Sequence, residues 1–346
     1  MTSNKTAEEM LNKGKKLYHG EGVSENLPEA ARCFKIASDN GNSEAMFYYA
    51  DMLYQGQGVP VNLPEAARYF KMSGDEGNRD GMYNYAVMNH EGQGILKNEN
   101  KAAQYFKMAA DKGHVLSMYS YAKMVKIGKG CKQNPKEGAR YFLMAIEGGS
   151  TDAMNDYANM VRLGEGITKK PKEAALYFQM AIERGSSLAM YNYATMRLQG
   201  EGIEKDVKEA AHYFKLASDC GNVESMSNYA IMVLQGIGVD KNVPEAERYY
   251  KMAIDKGSAF AMLNYGVMLY MGVGTKSDPE AAKRYYKMAV KTGDPLAINR
   301  YAEMLSQGIG IEKNPREAVR YFKMARDLTA SRETMRNLAT RVASYK

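Results

Sequence analysis

Residues 163–167 read LGEGI, a glycine–acid–glycine run behind an apolar stretch. Such a loop could aim backbone N–H groups at a phosphate. Other side chains able to do chemistry are few. His19, His90, His114 and His212 and the cysteines Cys33, Cys131 and Cys220 fall at unrelated positions, with no second ligand at metal spacing. Glu65, Arg68, Lys71 and Asp75 stand three or four residues apart, the pattern of weak ion pairs on a solvated helix face. Asp75 and Asp111 sit near helix C-termini, against the dipole, and the lysine partners excuse this only in part. No nucleophile–base constellation is visible, so the reading is of a non-enzymatic chain that needs no cofactor and no metal.

The phosphate question is decided by recurrence. Gly-x-Gly returns at Gly20/Gly22, Gly56/Gly58, Gly92/Gly94, Gly128/Gly130, Gly164/Gly166, Gly200/Gly202, Gly236/Gly238, Gly272/Gly274 and Gly308/Gly310, always at an interval of 36 residues. A phosphate loop runs from a strand into a helix, whereas here the glycines follow a helix. In AMYNYATMRLQGEGI, Met190, Tyr193, Ala194 and Met196 keep helical spacing up to Gly200. The glycine is a helix stop, placed where the chain needs a left-handed residue.

The elements around it follow from capping chemistry. A first helix (A) ends at Gly-x-Gly, and a short loop such as GVPVNLPEA or GIEKNPREA leads to a second helix (B). Asn or Asp stands before helix B at Asn26, Asn62, Asn98, Asn134, Asp206, Asn242, Asp278 and Asn314, often with Pro in the first turn. Helix B stops at Gly41, Gly77, Gly113, Gly149, Gly185, Gly221, Gly257 and Gly293, each followed by a fresh N-cap residue. The expectation is an all-α solenoid of nine 36-residue helix hairpins, with units at about 6–41, 42–77, 78–113, 114–149, 150–185, 186–221, 222–257, 258–293 and 294–329 and a lone capping helix at 331–345, together one array over 1–346.

Three of the 26 methionines, Met1, Met271 and Met335, escape three period-locked columns, represented by Met46, Met52 and Met72. With Ala50, Ala67, Tyr49, Tyr69 and Phe70, these columns are expected to form the interior, the tyrosine hydroxyls reaching a carbonyl or water near the helix ends. Lys13 and Lys16 replace the Tyr and second Met in the first unit, as a capped stack requires. The chain is 45% hydrophobic and 25% charged, with a net charge of +7. That balance excludes a disordered class and does not single out nucleic acid. No export signal, lipidation signal or apolar run long enough to span a membrane is read, and the cysteines form no disulfide framework, so a cytoplasmic protein without direct membrane insertion is expected.

EAARYFKM, YFKMAADKGH, AMYNYA and QGEGIEK resemble the Sel1-like repeats, relatives of the tetratricopeptide repeat, over essentially the whole chain. The family's Leu-Gly step is here Tyr-Ala, as at Tyr85-Ala86, and its frequent Trp is Arg or another residue before Tyr. The resemblance implies a right-handed α/α superhelical solenoid whose A helices line a concave wall, and an adaptor that assembles protein complexes. The penicillin-binding reading of a cysteine-rich branch is not carried over, because this chain lacks paired cysteines in each repeat.

Function in a solenoid lies on positions the repeat leaves free. On helix A these follow Phe47, Asp51 and Tyr54, opposite the core. The resulting candidate surface comprises Tyr83, Tyr119, Lys123, Lys126, Arg162, Tyr191, Leu198, Ile231, Leu234, Leu263, Val267 and Tyr270. Ile231, Leu234, Leu263, Val267 and Tyr270 are expected either to stand exposed as an apolar anchor site or to be buried by curvature or a neighbouring helix. Lys123, Lys126 and Arg162 would face acidic residues of the same protein or peptide partner. Asn84, Asn192, Asn228 and Asn264 flank the surface and would bond a ligand backbone or helix carbonyls. The alternative is single-stranded RNA, with Tyr83, Tyr119 and Tyr191 stacking on bases. Against it stand a nearly constant Asn column and groove charge confined to two units.

Overall fold

A computed structural model describes the backbone of residues 2–274 and 276–344 and the side chains of 5–274 and 276–330. Among the described residues every regular element is helical, and there are eighteen helices. The A helices are α1 (Thr2–His19), α3 (Ser43–Gln55), α5 (Arg79–Glu91), α7 (Val115–Ile127), α9 (Thr151–Leu163), α11 (Ser187–Gln199), α13 (Val223–Gln235), α15 (Ala259–Met271) and α17 (Pro295–Gln307). The B helices are α2 (Leu27–Asp39), α4 (Leu63–Asp75), α6 (Glu99–Asp111), α8 (Pro135–Glu147), α10 (Pro171–Glu183), α12 (Val207–Asp219), α14 (Val243–Asp255), α16 (Pro279–Lys291) and α18 (Pro315–Ser344). The chain divides into two compact units, Met1–Lys169 with α1–α9 and Lys170–Lys346 with α10–α18. Inside each unit, consecutive helices pack on one another.

Local chemistry sets the helix bounds. Asn98 Oδ1 accepts from the Lys101 N–H at 3.0 Å, and Asn62, Asn134 and Asn242 cap their helices in the same way. Lys170 departs from the pattern and makes no side-chain cap bond to α10. At the other end of helix A, Gly128 takes φ +75° and returns its N–H to Met124. From Gly58 to Gly274 the second glycine of the pair has a further duty. A Cβ on Gly130 would run into the backbone of Glu99 at the start of α6, so the loop of one repeat lies directly on helix B of the repeat before.

The interior is made of the expected columns, with one correction. Met52, Met154, Met160 and Met196 are fully buried beside Ala50, Ala158 and Ala194. The helix-B column is not interior: Met180, Met288 and Met324 are each 42% exposed. Met72 is only half-buried, with Arg68 Nη1 at 3.5 Å from its sulfur. Helix B has only its inner face covered, and Tyr69, Phe70 and Ala67 already fill it.

Within each unit the tyrosine columns pack edge to face across the hairpins that carry both rings. Tyr85 and Tyr105 lie 4.7 Å apart between ring centroids, Tyr121 and Tyr141 4.8 Å, and Tyr229 and Tyr249 4.8 Å. Their hydroxyls mostly reach carboxylates rather than the expected carbonyl or water. Tyr105 donates to Asp75 at 2.7 Å and Tyr249 to Asp219 at 2.8 Å, each across to helix B of the preceding repeat. Tyr121 donates to Glu137 and Tyr229 to Glu245 within their own hairpins, while Tyr286 does reach a carbonyl, that of Gly310. This accounts for acids at helix C-termini. Burial works against the Asp75 carboxylate, but bonds from Lys71 and Tyr105 outweigh it and hold its pKa below the ordinary value. Burial, then Asp75, pushes the Tyr105 phenol up to about 12.

The lone capping helix is not separate. α18 runs unbroken from Pro315 to Ser344. The position that holds the terminating glycine in the other B helices is Thr329, which instead donates its hydroxyl to the Ala325 carbonyl at 2.9 Å. Without a left-handed residue there, nothing ends the helix. The side chain of Met335 lies outside the described residues.

Candidate partner-binding surface

In the first unit the expected helix-A residues are already engaged with their own chain. The half-buried Tyr83 ring packs on Phe106 at 5.8 Å and on the His114 ring at 4.6 Å. Tyr119 packs on Phe142 at 5.9 Å and donates to Asp156 at 3.0 Å. Burial first, then Asp156, raises its pKa. Lys123 is exposed, its ammonium 5.1 Å from the Tyr119 ring centre. Lys126 pairs with Glu165 at 2.8 Å, and Arg162 donates to Asn159 at 3.2 Å. The structure brings the three basic residues into one unit, but Lys126 faces an acid of its own chain.

In the second unit, Tyr191, Leu198, Ile231 and Leu234 are half-buried against the core around Phe214 and Tyr249. Val267 and Tyr270 lie in the same way against the core around Tyr286 and Tyr301. Leu263 is 4% exposed and belongs to that second core, so it does not stand out as an open anchor. It occupies the register of Tyr83 and Tyr119, above the helix-B aromatic, and a short aliphatic chain drops below the rim there. The anticipated open patch is therefore a half-buried shoulder.

Apolar side chains project instead at the ends of helix A, at its last residue in Ile127, Leu163 and Met271 and at its second residue, notably beside a cleft between α15 and α17. Leu188 is 51% exposed, Phe260 46% and Leu296 78%, with Leu116 at 54% in the first unit. These residues were not singled out from sequence, although a signal exists. At the same register Glu44, Asp80, Asp152 and Glu224 carry the acid that a helix N-terminus favours, so an apolar residue there forgoes a dipole interaction.

Between α15 and α17 lies a cleft of about 310 Å³ floored by Leu263 and Ala297 and walled by Phe260 and Leu296. A second cleft of about 280 Å³ shares Phe260, Leu263, Arg300 and Glu303 and runs on to Val267 and Ile309. At the mouth Glu303 accepts from Asn299 at 2.9 Å and from Arg300 at 3.3 Å. The flanking asparagines bond their own helix: Asn84 donates to the Asp80 carbonyl at 2.9 Å, Asn228 to Glu224 at 3.0 Å and Asn264 to Phe260 at 2.8 Å. Asn192, in the same column, is half-buried and also partnered. Among the described residues no group of three or more His, Cys, Asp or Glu is placed to hold a metal, and no helix is long and apolar enough to cross a membrane.

Two capped helices, a glycine stop and an inter-repeat glycine contact, repeated without a change of register, match the family model of the Sel1 repeat at nine consecutive segments: 14–42, 43–78, 79–114, 115–150, 151–186, 187–222, 223–258, 259–294 and 295–329. The chain belongs to the Sel1 repeat family. The protective antigen c5321 of uropathogenic Escherichia coli is similar in structure, with a TM-score of 0.68 and 22% identity over 97% of this chain and 80% of that one. A Sel1 repeat protein of Oxalobacter formigenes has a TM-score of 0.63 and 23% identity over 70% of this chain and 96% of its own. Both likenesses establish the all-α solenoid fold class. No curated protein sequence is similar enough to place the function by relationship. Sel1-repeat proteins are generally protein-interaction scaffolds, and the repeat is typically a non-catalytic module that binds protein partners.

Proposed function

We propose that this Sel1-repeat chain is a non-enzymatic adaptor that holds protein or peptide segments on its helix-A face, with the principal apolar contact in the second unit. The observation that carries the reading is the contrast on helix A itself. The core register is nearly constant, while the opposite face changes from repeat to repeat and in α15 and α17 exposes Phe260 and Leu296 beside a cleft. Exposed apolar side chains lining a concavity are a common mark of an interaction site. The RNA reading gains nothing from the geometry. The rings of Tyr83 and Tyr119 are occupied by neighbours, and Lys126 is spent on Glu165.

The test is affinity capture from a lysate, with and without nuclease. Leu234 and Val267 brace the cores, so charges there would unsettle packing as well as binding. Leu188→Asp/Phe260→Asp alters exposed positions instead and should leave helicity and melting unchanged. Nuclease-resistant proteins lost only from this variant are the expected result. Recovery that vanishes with nuclease, or that is the same for both chains, would overturn the assignment.

A further inference from the structure

Resting on that reading, the cleft between α15 and α17 can be characterised by what fills the same place elsewhere in the chain. In the first unit the seam between consecutive A helices is covered by an aromatic ring. Tyr83 reaches across to His114, and Tyr119 reaches across to Asp156. Carried forward by whole 36-residue repeats, Tyr83 and Tyr119 both fall on Leu263, His114 falls on Asp294, and Asp156 falls on Arg300. Asp294 and Arg300 both line the cleft, and Leu263 is its floor. The space is therefore a seam whose ring is missing. Losing the ring does not by itself open a seam. At Ser227, the equivalent position one repeat earlier, the side chain is 1% exposed, with its hydroxyl 3.4 Å from that of Ser258 on the next helix.

We propose that a tyrosine or tryptophan side chain of a protein partner docks in this cleft and supplies the missing ring. The ring would lie on Leu263 with Phe260 and Leu296 as walls, as Tyr119 lies on Phe142. Phe260 offers an aromatic edge or face, and the Arg300 side chain, 65% exposed and paired with Glu303 across a solvent-screened 3.3 Å, can exchange that contact for one over a bound ring. Asp294 and Glu303 at the mouth supply acceptors for the phenol O–H or indole N–H. That is the bond Tyr119 makes to Asp156 and Tyr105 to Asp75 in this molecule. Asp294 already accepts from the Leu296 N–H and Glu303 from Asn299 and Arg300, but each carboxylate keeps acceptor capacity that a purely aliphatic anchor would not use, so an aromatic residue with a donor tip is the better fit.

The test is a random twelve-residue peptide library displayed on phage and selected on the full chain. Enriched peptides are then measured by fluorescence anisotropy against wild type, Leu263→Tyr and Leu296→Asp. Leu263→Tyr restores the ring from within and should melt at or above the wild-type temperature while closing the cleft. Leu296→Asp changes a side chain 78% exposed and guards against a folding defect in the first variant. The expected result is a shared Tyr or Trp in the selected peptides, with binding weakened about 30-fold or more by its replacement with Ala and by Leu263→Tyr. Peptides that lack an aromatic residue, or that bind both variants as they bind wild type, would overturn the cleft assignment and leave the adaptor reading standing. Failure to enrich any peptide also overturns it, while capture of whole proteins tests the adaptor reading separately.

Discussion

At the scale of single residues, the same register position takes different duties according to what its neighbour leaves open. His114 stands where other A helices have Asn, Ser or Asp, and its Nδ1 accepts from the Ser117 N–H at 3.2 Å. Only a neutral imidazole can do this. Burial lowers its pKa, the Asp80 carboxylate 3.5 Å from Nε2 opposes that, and Arg79 assists it. The folded state therefore disfavours the extra proton. The stability this group contributes is full above the unfolded value of about 6.5 and is lost as pH falls through the folded value. His114→Asn should keep the cap and remove this component, so the drop in melting temperature between pH 7.5 and 5.5 should shrink; an unchanged drop would contradict the assignment. The methionines give a second expectation. Under dilute peroxide, sulfoxide should appear at Met180, Met288 and Met324 well before Met52, Met154, Met160 and Met196, with helicity retained, as read by peptide mass spectrometry. Equal rates would mean that the buried columns are not packed as described.

At the scale of the element, caps and stops decide where each helix begins and ends. Lys170 has backbone angles close to those of Asn98 and lacks the cap bond, and its ammonium pairs instead with Glu173 at 2.9 Å. Lys170→Asn should stabilise the protein by about 0.5–1 kcal/mol, seen as a higher urea midpoint with an unchanged slope. The glycines separate into two classes. Gly185 has φ +83° with open space around its Cβ direction, so Gly185→Ala should cost about 1–2 kcal/mol from the left-handed backbone alone. Gly130 combines φ +70° with the Glu99 backbone in the way, so Gly130→Ala should cost at least ~1 kcal/mol more. Equal losses in chemical denaturation would mean that the loop is free to move off α6.

At the scale of the whole molecule, a net charge of +7 invites the idea of a polyanion partner, but the local arrangement does not favour it. Lys97 and Lys129 both pair with Glu99, Lys126 with Glu165 and Arg197 with Glu209. Around the cleft, Arg300 is balanced by Asp294 and Glu303. Affinity for the captured partner should therefore change by less than about tenfold between 50 and 200 mM salt, whereas six to ten phosphate contacts would lose about 10³–10⁵. A steep salt dependence would instead mark a nucleic-acid partner.

The sequence by itself determined the helices, their caps and stops, the period, the two buried methionine columns and the family. These depend on contacts within one repeat or between identical neighbours, so a strict 36-residue period displays them nine times over. It did not reveal that Asp75 and Asp111 serve the tyrosines of the following repeat, that Leu263 is buried, or that α18 continues beyond residue 330. The first two depend on which residue faces which across a seam, a distance that the spacing along one helix does not contain. The third is legible in Thr329, which stands at the register of the terminating glycine. The candidate site was the least legible part. Whether Leu234, Val267 or Phe260 is open to a partner is a matter of a few ångströms of packing between helices 36 residues apart, and only the tertiary structure sets that distance.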